Sequence, residues 1–250
     1  MKKRILAWLI LLLCFVQMPL FADDAAKKPD DAKADNAATK TIPKKQDLQH
    51  FEMINLSGVG NLYIKQTDQE NFTMEADEEL LPLIKVNVKD KTLYIELMDA
   101  SNHLKANIKY YLNIKTVNSI TATGLTNVFI PNGLQTDTLK LSISGFGSEA
   151  HININVKQLT AKVDGGAKVE ASGVAGVQMV EIHGAGEFDG TKLVGDTATV
   201  SIDGSSIAKT NISGKLSVDI SGDAEVKYCA KPDITKKISD NGKISRLEGC

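Results

Sequence analysis

Three side chains spaced one repeat apart carry the most chemistry in this sequence: Asp164, His183 and Asp203. Each stands immediately before a glycine in a series of similar phrases, Val-Asp-Gly, Ile-His-Gly and Ile-Asp-Gly. If these phrases are strands laid side by side, two carboxylates about 10 Å apart flank one imidazole. Such a column can hold a cation or work as general acid and base, as in β-helical polysaccharide-cleaving enzymes. The plainer reading is a solvated polar strand face, because Ser, Thr, Asp and Asn favour the turn beside a glycine. The composition favours the plainer reading, and the three residues stand as a candidate binding column.

Other reactive groupings fail on spacing. Ser206-Ile207-Ala208-Lys209 and Ser239-Asp240-Asn241 mimic two motifs of penicillin-recognising serine enzymes. That chemistry opens a helix with its serine and adds a Lys-Thr-Gly triplet, whereas this serine lies in a strand-rich phrase and no such triplet follows. His-Glu-x-x-His and glycine-rich phosphate loops are absent too, so neither metal nor cofactor is expected. His50, His103 and His151 have no partner that spacing can place. Of Tyr110 and Tyr111, strand alternation sends one ring to the core and the other outward. Cys229 lies seven residues past Gly222 and Cys250 eight past Gly242. One repeat apart on the same side means about 4.8 Å, a separation that a disulfide accepts.

The elements that position these residues are repeats. Glycines fall at 124, 145, 165, 184, 204, 222 and 242, in steps of 18 to 21 residues. Four and two residues before them stand apolar pairs such as Leu141 and Ile143, Val180 and Ile182, Val200 and Ile202; the last copy weakens to Ile238 and Asp240. Alternation is the strand period, and a glycine reaches the positive φ that a change of strand direction needs. One such repeat buries too little to offset its own chain entropy, so copies must stack. Travel in the same direction makes the ladder parallel and the coil right-handed. The expected fold is all-β: a single-domain, right-handed parallel β-helix of seven to eight rungs of about 20 residues.

The chain opens Met-Lys-Lys-Arg and runs apolar from Ile5 to Val16, with Pro19 and a small residue at Ala22. This is the pattern of a cleaved export signal over 1–22. Cleavage leaves 26 basic and 31 acidic residues, a net charge of about −5. With no basic patch carrying aromatics, nucleic acid is excluded as a partner. No membrane span is expected after cleavage, because twelve apolar residues fall short of the ~20 that cross a bilayer. Residues 23–50, poor in large apolar side chains, read as a flexible linker. From Phe51 an eighth copy begins, with Ile54 and Leu56 before Gly58. Between it and Gly124, Ile84 to Leu97 reads as a hairpin turning at Lys89-Asp90-Lys91, Ala106 to Lys115 as a further strand, and Glu75 to Leu81 as a helical turn. This antiparallel insertion is expected to cap the N-terminal end of the coil.

The phenylalanine-led first strand, the central Leu93-Tyr94-Ile95-Glu96, and the ordered phrases SISGFG, VDGGAK, IHGAGE, IDGSS and ISGDAE carry a resemblance. From roughly Phe51 to Leu247 the chain resembles the bacterial exported family of auto-transporter adhesin type, the head GIN domain. Where that family has tyrosine, glycine and proline near its end, Tyr228 and Pro232 match, but Ala230 replaces the glycine and Cys229 intrudes. The resemblance implies a β-helical fold outside the cytoplasm and an adhesion role, with no catalytic residues. The expected function is a non-enzymatic exported module, periplasmic or at the cell surface, that binds or scaffolds an envelope partner, protein or glycan. The alternative is a β-helical glycan-binding or glycan-cleaving protein using the outward Asp164, His183 and Asp203. Against it stands the lack of any tryptophan beyond Trp8 to stack on sugar rings.

Overall fold

The computed structural model describes residues 41–250; the expected export signal and residues 23–40 of the expected linker lie outside the described residues. The described chain is all-β. Its strands are β1 (Thr41–Gln46), β2 (Met53–Gln66), β3 (Asn71–Asp77), β4 (Ile84–Lys89), β5 (Thr92–Leu97), β6 (Lys109–Ile114), β7 (Ser119–Gly184), β8 (Glu187–Gly204), β9 (Ile207–Ser221), β10 (Glu225–Cys229), β11 (Asp233–Ile238) and β12 (Lys243–Arg246). All twelve join one sheet.

Parallel pairing one repeat apart is the dominant relation. Ile54 faces Ile120 and Gly58 faces Gly124 where β2 meets β7. Val180 faces Val200 and Gly184 faces Gly204 where β7 meets β8, and Val200 faces Val218 where β8 meets β9. The alternating apolar pairs turn inward: Leu141, Ile143, Ala161, Val163, Val180 and Ile182 are all buried. Each side chain therefore packs on its counterpart from the neighbouring repeat, so the apolar area that one repeat cannot hide alone is shared along the ladder.

The corner glycines have a second cause besides backbone conformation. Gly204 has φ 132°, and a Cβ there would stand 2.2 Å from the carbonyl oxygen of Gly184. Gly124 and Gly145 stand in the same relation to the glycine before them. The corners stack so closely that a side chain directed along the stack has no room.

The last repeat departs from the expected register. Ile238 pairs with Ile220, not with Val218, so Asp240 and not Gly242 follows as the corner residue, with φ 58°. Its Oδ2 accepts a hydrogen bond from the Gly222 amide at 3.1 Å. An aspartate is tolerated because no further corner is stacked beyond it among the described residues, and Asp is one of the few L residues at ease in the left-handed region.

The N-terminal insertion extends the ladder. β5 pairs in parallel with the first half of β2, and β6 with the second half. Antiparallel pairing comes outside these: β4 on β5, β3 on β6, and β1 on β3. The β4–β5 hairpin turns through Asp90 and Lys91, both at positive φ (49° and 57°), the conformation of a type I′ turn. Glu75 lies within β3 and the short 3-10 turn sits later, at Leu81–Leu83, so the helical turn expected over Glu75 to Leu81 is misplaced. The linker expected over 23–50 also ends too late, since Thr41–Gln46 form β1. An edge strand needs no apolar face of its own, and lysines suit an open edge, which is why composition reads it as linker.

Candidate functional site

The structure brings together two of the three residues of the expected column. His183 Nδ1 lies 3.1 Å from Asp164 Oδ1, and Lys162 Nζ lies 3.6 Å from Asp164 Oδ2. Asp203 stands opposite His183 in the ladder, but it is exposed and forms no hydrogen bond or ion pair among the described residues. No group of three or more His, Cys, Asp or Glu is placed to hold a metal ion among the described residues. Ser206 is 2% exposed, and its hydroxyl donates to the Gly184 carbonyl at 2.9 Å. It ties one corner to the next, and the ammonium of Lys209 is held by Glu187 and Asp189 at 2.8 and 2.9 Å.

A different set of residues borders a cleft of about 440 Å³, lined by Phe129, His151, Asn153, Glu170, Asp189 and Lys192 among others. One wall is a bulge. Gly190 pairs with Thr210 and Val194 already with Asn211, so three residues of β8 have no counterpart in β9. Asp189 holds this bulge: its Oδ1 accepts from the Thr191 amide at 3.1 Å and from the Thr191 hydroxyl at 2.6 Å. Leu193 turns inward and is fully buried, leaving Lys192 exposed at the rim.

Apart from Lys192, the charges around this cleft are tied down. His151 Nδ1 and Nε2 each lie 3.1 Å from a carboxylate, of Glu170 and Glu149 respectively. Lys168 Nζ lies 2.7 Å from Glu170 Oε1, and its hydrogen bond, ahead of the opposing effect of desolvation, holds the Glu170 carboxyl below its ordinary range. For Asp189 burial alone would raise the value, but the bonds from Thr191 and Lys209 together outweigh it and lower the carboxyl. Both groups are thus carboxylates at neutral pH, poorly suited to giving up a proton as a general acid.

Beside the cleft runs an aromatic stack. Tyr111, Tyr63, Phe129 and His151 follow one another with ring centroids 5.3, 4.9 and 5.4 Å apart and interplanar angles of 18°, 14° and 4°. Tyr111 is the outward ring of its pair and Tyr110 is fully buried, as alternation requires. Stacked in this way the rings cover one another's facing sides and stabilise the ladder, by about 0.5–1.5 kcal/mol per pair. Spacing alone leaves His151 without a partner, yet the signal was present: Phe129, His151, Glu170, Asp189 and Lys209 each stand five or six residues past a corner glycine.

The two expected cysteines do pair. Cys229 and Cys250 form a disulfide with Cα atoms 5.7 Å apart. The geometry differs from the expectation, because β12 places Arg246 opposite Tyr228. Cys250 lies beyond the rung position facing Cys229 and reaches back to it from the end of the tail.

The described chain is thus an all-β repeat protein with a parallel ladder and a disulfide-bonded tail. Residues 50–232 match the family described as putative auto-transporter adhesin, head GIN domain, and the chain belongs to that family. No curated protein matches it in sequence. Among solved structures it is similar to a putative adhesin from Bacteroides fragilis, at 24% identity and TM-score 0.75, covering 83% of this chain and 97% of that one. It is also similar to a putative adhesin and to a putative lipid binding protein from Parabacteroides distasonis, at 17% and 18% identity, each with TM-score 0.68 and the same coverage. At these identities the likeness concerns the fold alone. No helix among the described residues is long and apolar enough to cross a membrane.

Proposed function

We propose that this chain is a non-enzymatic binding module of the bacterial cell envelope. In this reading residues 1–22 direct export and are removed, and residues 23–40 lead to a domain whose edge strand β1 precedes the first coil at Phe51. The ladder winds as one right-handed parallel β-helix of seven to eight coils; parallel pairing at offsets near twenty residues from β7 to β9, always in the same direction, supports that winding. The disulfide supports a compartment that is oxidising.

The observation that carries the functional reading is the division of labour in the cleft. Glu170 and Asp189 are already engaged by cations and hydroxyl, while Lys192 and Asn153 form no side-chain hydrogen bond or ion pair among the described residues. Fixed charges with two uncommitted polar groups beside an apolar edge suit recognition better than proton transfer. The adhesin family supports the same conclusion, with a protein or glycan of the envelope or a neighbouring surface as partner.

The test is retention of the exported protein on isolated cell envelopes. Saturable retention is expected, reduced about tenfold, or about 1.4 kcal/mol, by the double change Asn153→Ala and Lys192→Glu without loss of thermal stability. Equal retention of the variant would remove the cleft from the account.

A further inference from the structure

The cleft beside the aromatic stack has an unequal supply of hydrogen-bonding groups, and that inequality describes its ligand. Two outward columns line it. Phe129, His151, Glu170 and Asp189 form one; Pro131, Asn153, Ser172 and Thr191 stand two residues further along the same strands. Ser172 lies opposite Lys192 across the β7–β8 ladder. A Cβ on Gly173 would stand 3.1 Å from Asn153 Oδ1, which sets Asn153 against the same rung from the other side. Asn153 and Lys192 therefore bracket Ser172 over two strand spacings, about 10 Å.

Acceptors are in surplus among these groups. Each oxygen of Glu170 has one partner, Lys168 Nζ at Oε1 and His151 Nδ1 at Oε2, and keeps a free lone pair. Asp189 Oδ2 has Lys209 Nζ at 2.9 Å and is open to a second donor. The hydroxyls of Ser172 and Thr191 donate to the Ile152 carbonyl at 3.2 Å and to Asp189 Oδ1 at 2.6 Å, which leaves their oxygens as acceptors. The lining donors left over are the Asn153 amide and the Lys192 ammonium, both exposed. A matching ligand must bring several O–H donors and one negative charge.

Few chemical groups do both. A neutral sugar leaves the ammonium unanswered. An aspartate or glutamate side chain of a protein answers the ammonium but brings no hydroxyl to the acceptors. A phosphate group sets about two negative charges beside Glu170 and Asp189 against a single ammonium. A hexuronic acid carries one carboxylate and several hydroxyls on one ring, with a C–H face for the apolar end of the cleft at Phe129 and Pro131. The volume of about 440 Å³ is that of a small-molecule site. The chain's net charge of −2 also opposes a densely charged polyanion.

We infer that the cleft is a subsite for one hexuronic acid residue of a surface glycan, with its carboxylate on Lys192 and its hydroxyls on Asn153, Ser172 and Glu170. This inference rests on the proposed binding function and names the ligand class for the same cleft.

The experiment titrates the exported protein with oligosaccharides of galacturonic, glucuronic and mannuronic acid, each beside its carboxyl-reduced counterpart, and with a hexose phosphate and an acidic peptide. At least one uronic acid series should bind about fivefold tighter than its reduced form, and added salt should narrow the difference. Lys192→Ala should abolish the preference and Lys192→Arg should keep it, both with unchanged melting temperature because the side chain is exposed. Equal affinity for charged and reduced forms, a preference that survives Lys192→Ala, or tighter binding of the phosphate or the peptide overturns the subsite. If the protein is still retained on envelopes in that case, the binding module stands. If envelope retention is also absent, both readings fall.

Discussion

A Cβ added to Gly204 would stand 2.2 Å from the carbonyl oxygen of Gly184, a clash shared with the corners at Gly124 and Gly145. Gly204→Ala should therefore destabilise through both the positive φ and the stacked carbonyl, by about 2–4 kcal/mol. Gly133 separates the two causes: its φ is 86°, yet nothing lies within 4 Å of an added Cβ. Gly133→Ala should cost only about 1 kcal/mol, the strain of the backbone alone. Urea midpoints of the two variants check this, and equal losses would refute the stacking explanation.

Ala230 carries the opposite opportunity. It has φ 62° at the position where the family resemblance expects glycine. Left-handed backbone costs an L residue about 1–2 kcal/mol, partly offset by the extra freedom that glycine has when unfolded. Ala230→Gly is expected to raise stability by about 0.5–1 kcal/mol. Thermal melts of the oxidised protein measure it, and a lowered melting temperature would show that the strain is compensated locally.

Most of the ladder was legible in the sequence because alternation and corner glycines recur with one period. The buried pairs, the Gly58 copy and the β4–β5 hairpin stand where that period places them. The misplacements share a cause. Ile238, Asp240 and β1 lie at the ends, where a residue has a neighbour on one side only and pattern is released from the stacking that enforces it. The site was less legible. Register groups Asp203 with Asp164 and His183, but a shared column does not make contact between side chains. Spacing alone leaves His151 unplaced because Glu170 becomes its neighbour only through stacking of one repeat on the next, while Glu149 reaches it two residues away along the same strand.

Tyr110 gives the fold an alkaline limit. Its ring is fully buried and burial pushes its phenol well above the ordinary value near 10. Between the unfolded and folded values the folded chain holds the extra proton, so this stabilisation is complete below pH ~10 and is lost as pH rises toward the folded value. Unfolding free energy measured from pH 8 to 11.5 should fall above pH ~10 for wild type, and Tyr110→Phe should flatten that fall. An unchanged slope in the variant would assign the limit to another group.

The Cys229–Cys250 bridge closes a loop over a sequence separation of 21 and anchors an edge repeat whose β11 is largely exposed. Its reduction should cost about 3 kcal/mol and make residues beyond Cys229 the first to be cut by protease. Cleavage elsewhere at the same rate, with the tail still protected, would mean that pairing along β10 and β12 suffices without the bridge.

The central claim is that the outer face binds without chemistry. Its most direct measurement follows the exported protein with purified envelope glycans at saturating concentration over hours, recording bound protein and new reducing ends or unsaturated products together. The account predicts that binding reaches a steady plateau and that the glycan is recovered intact. A plateau that decays as new chain ends accumulate, and that is stabilised by Asp164→Asn or His183→Ala, would contradict it and make the Asp164–His183 pair an active site.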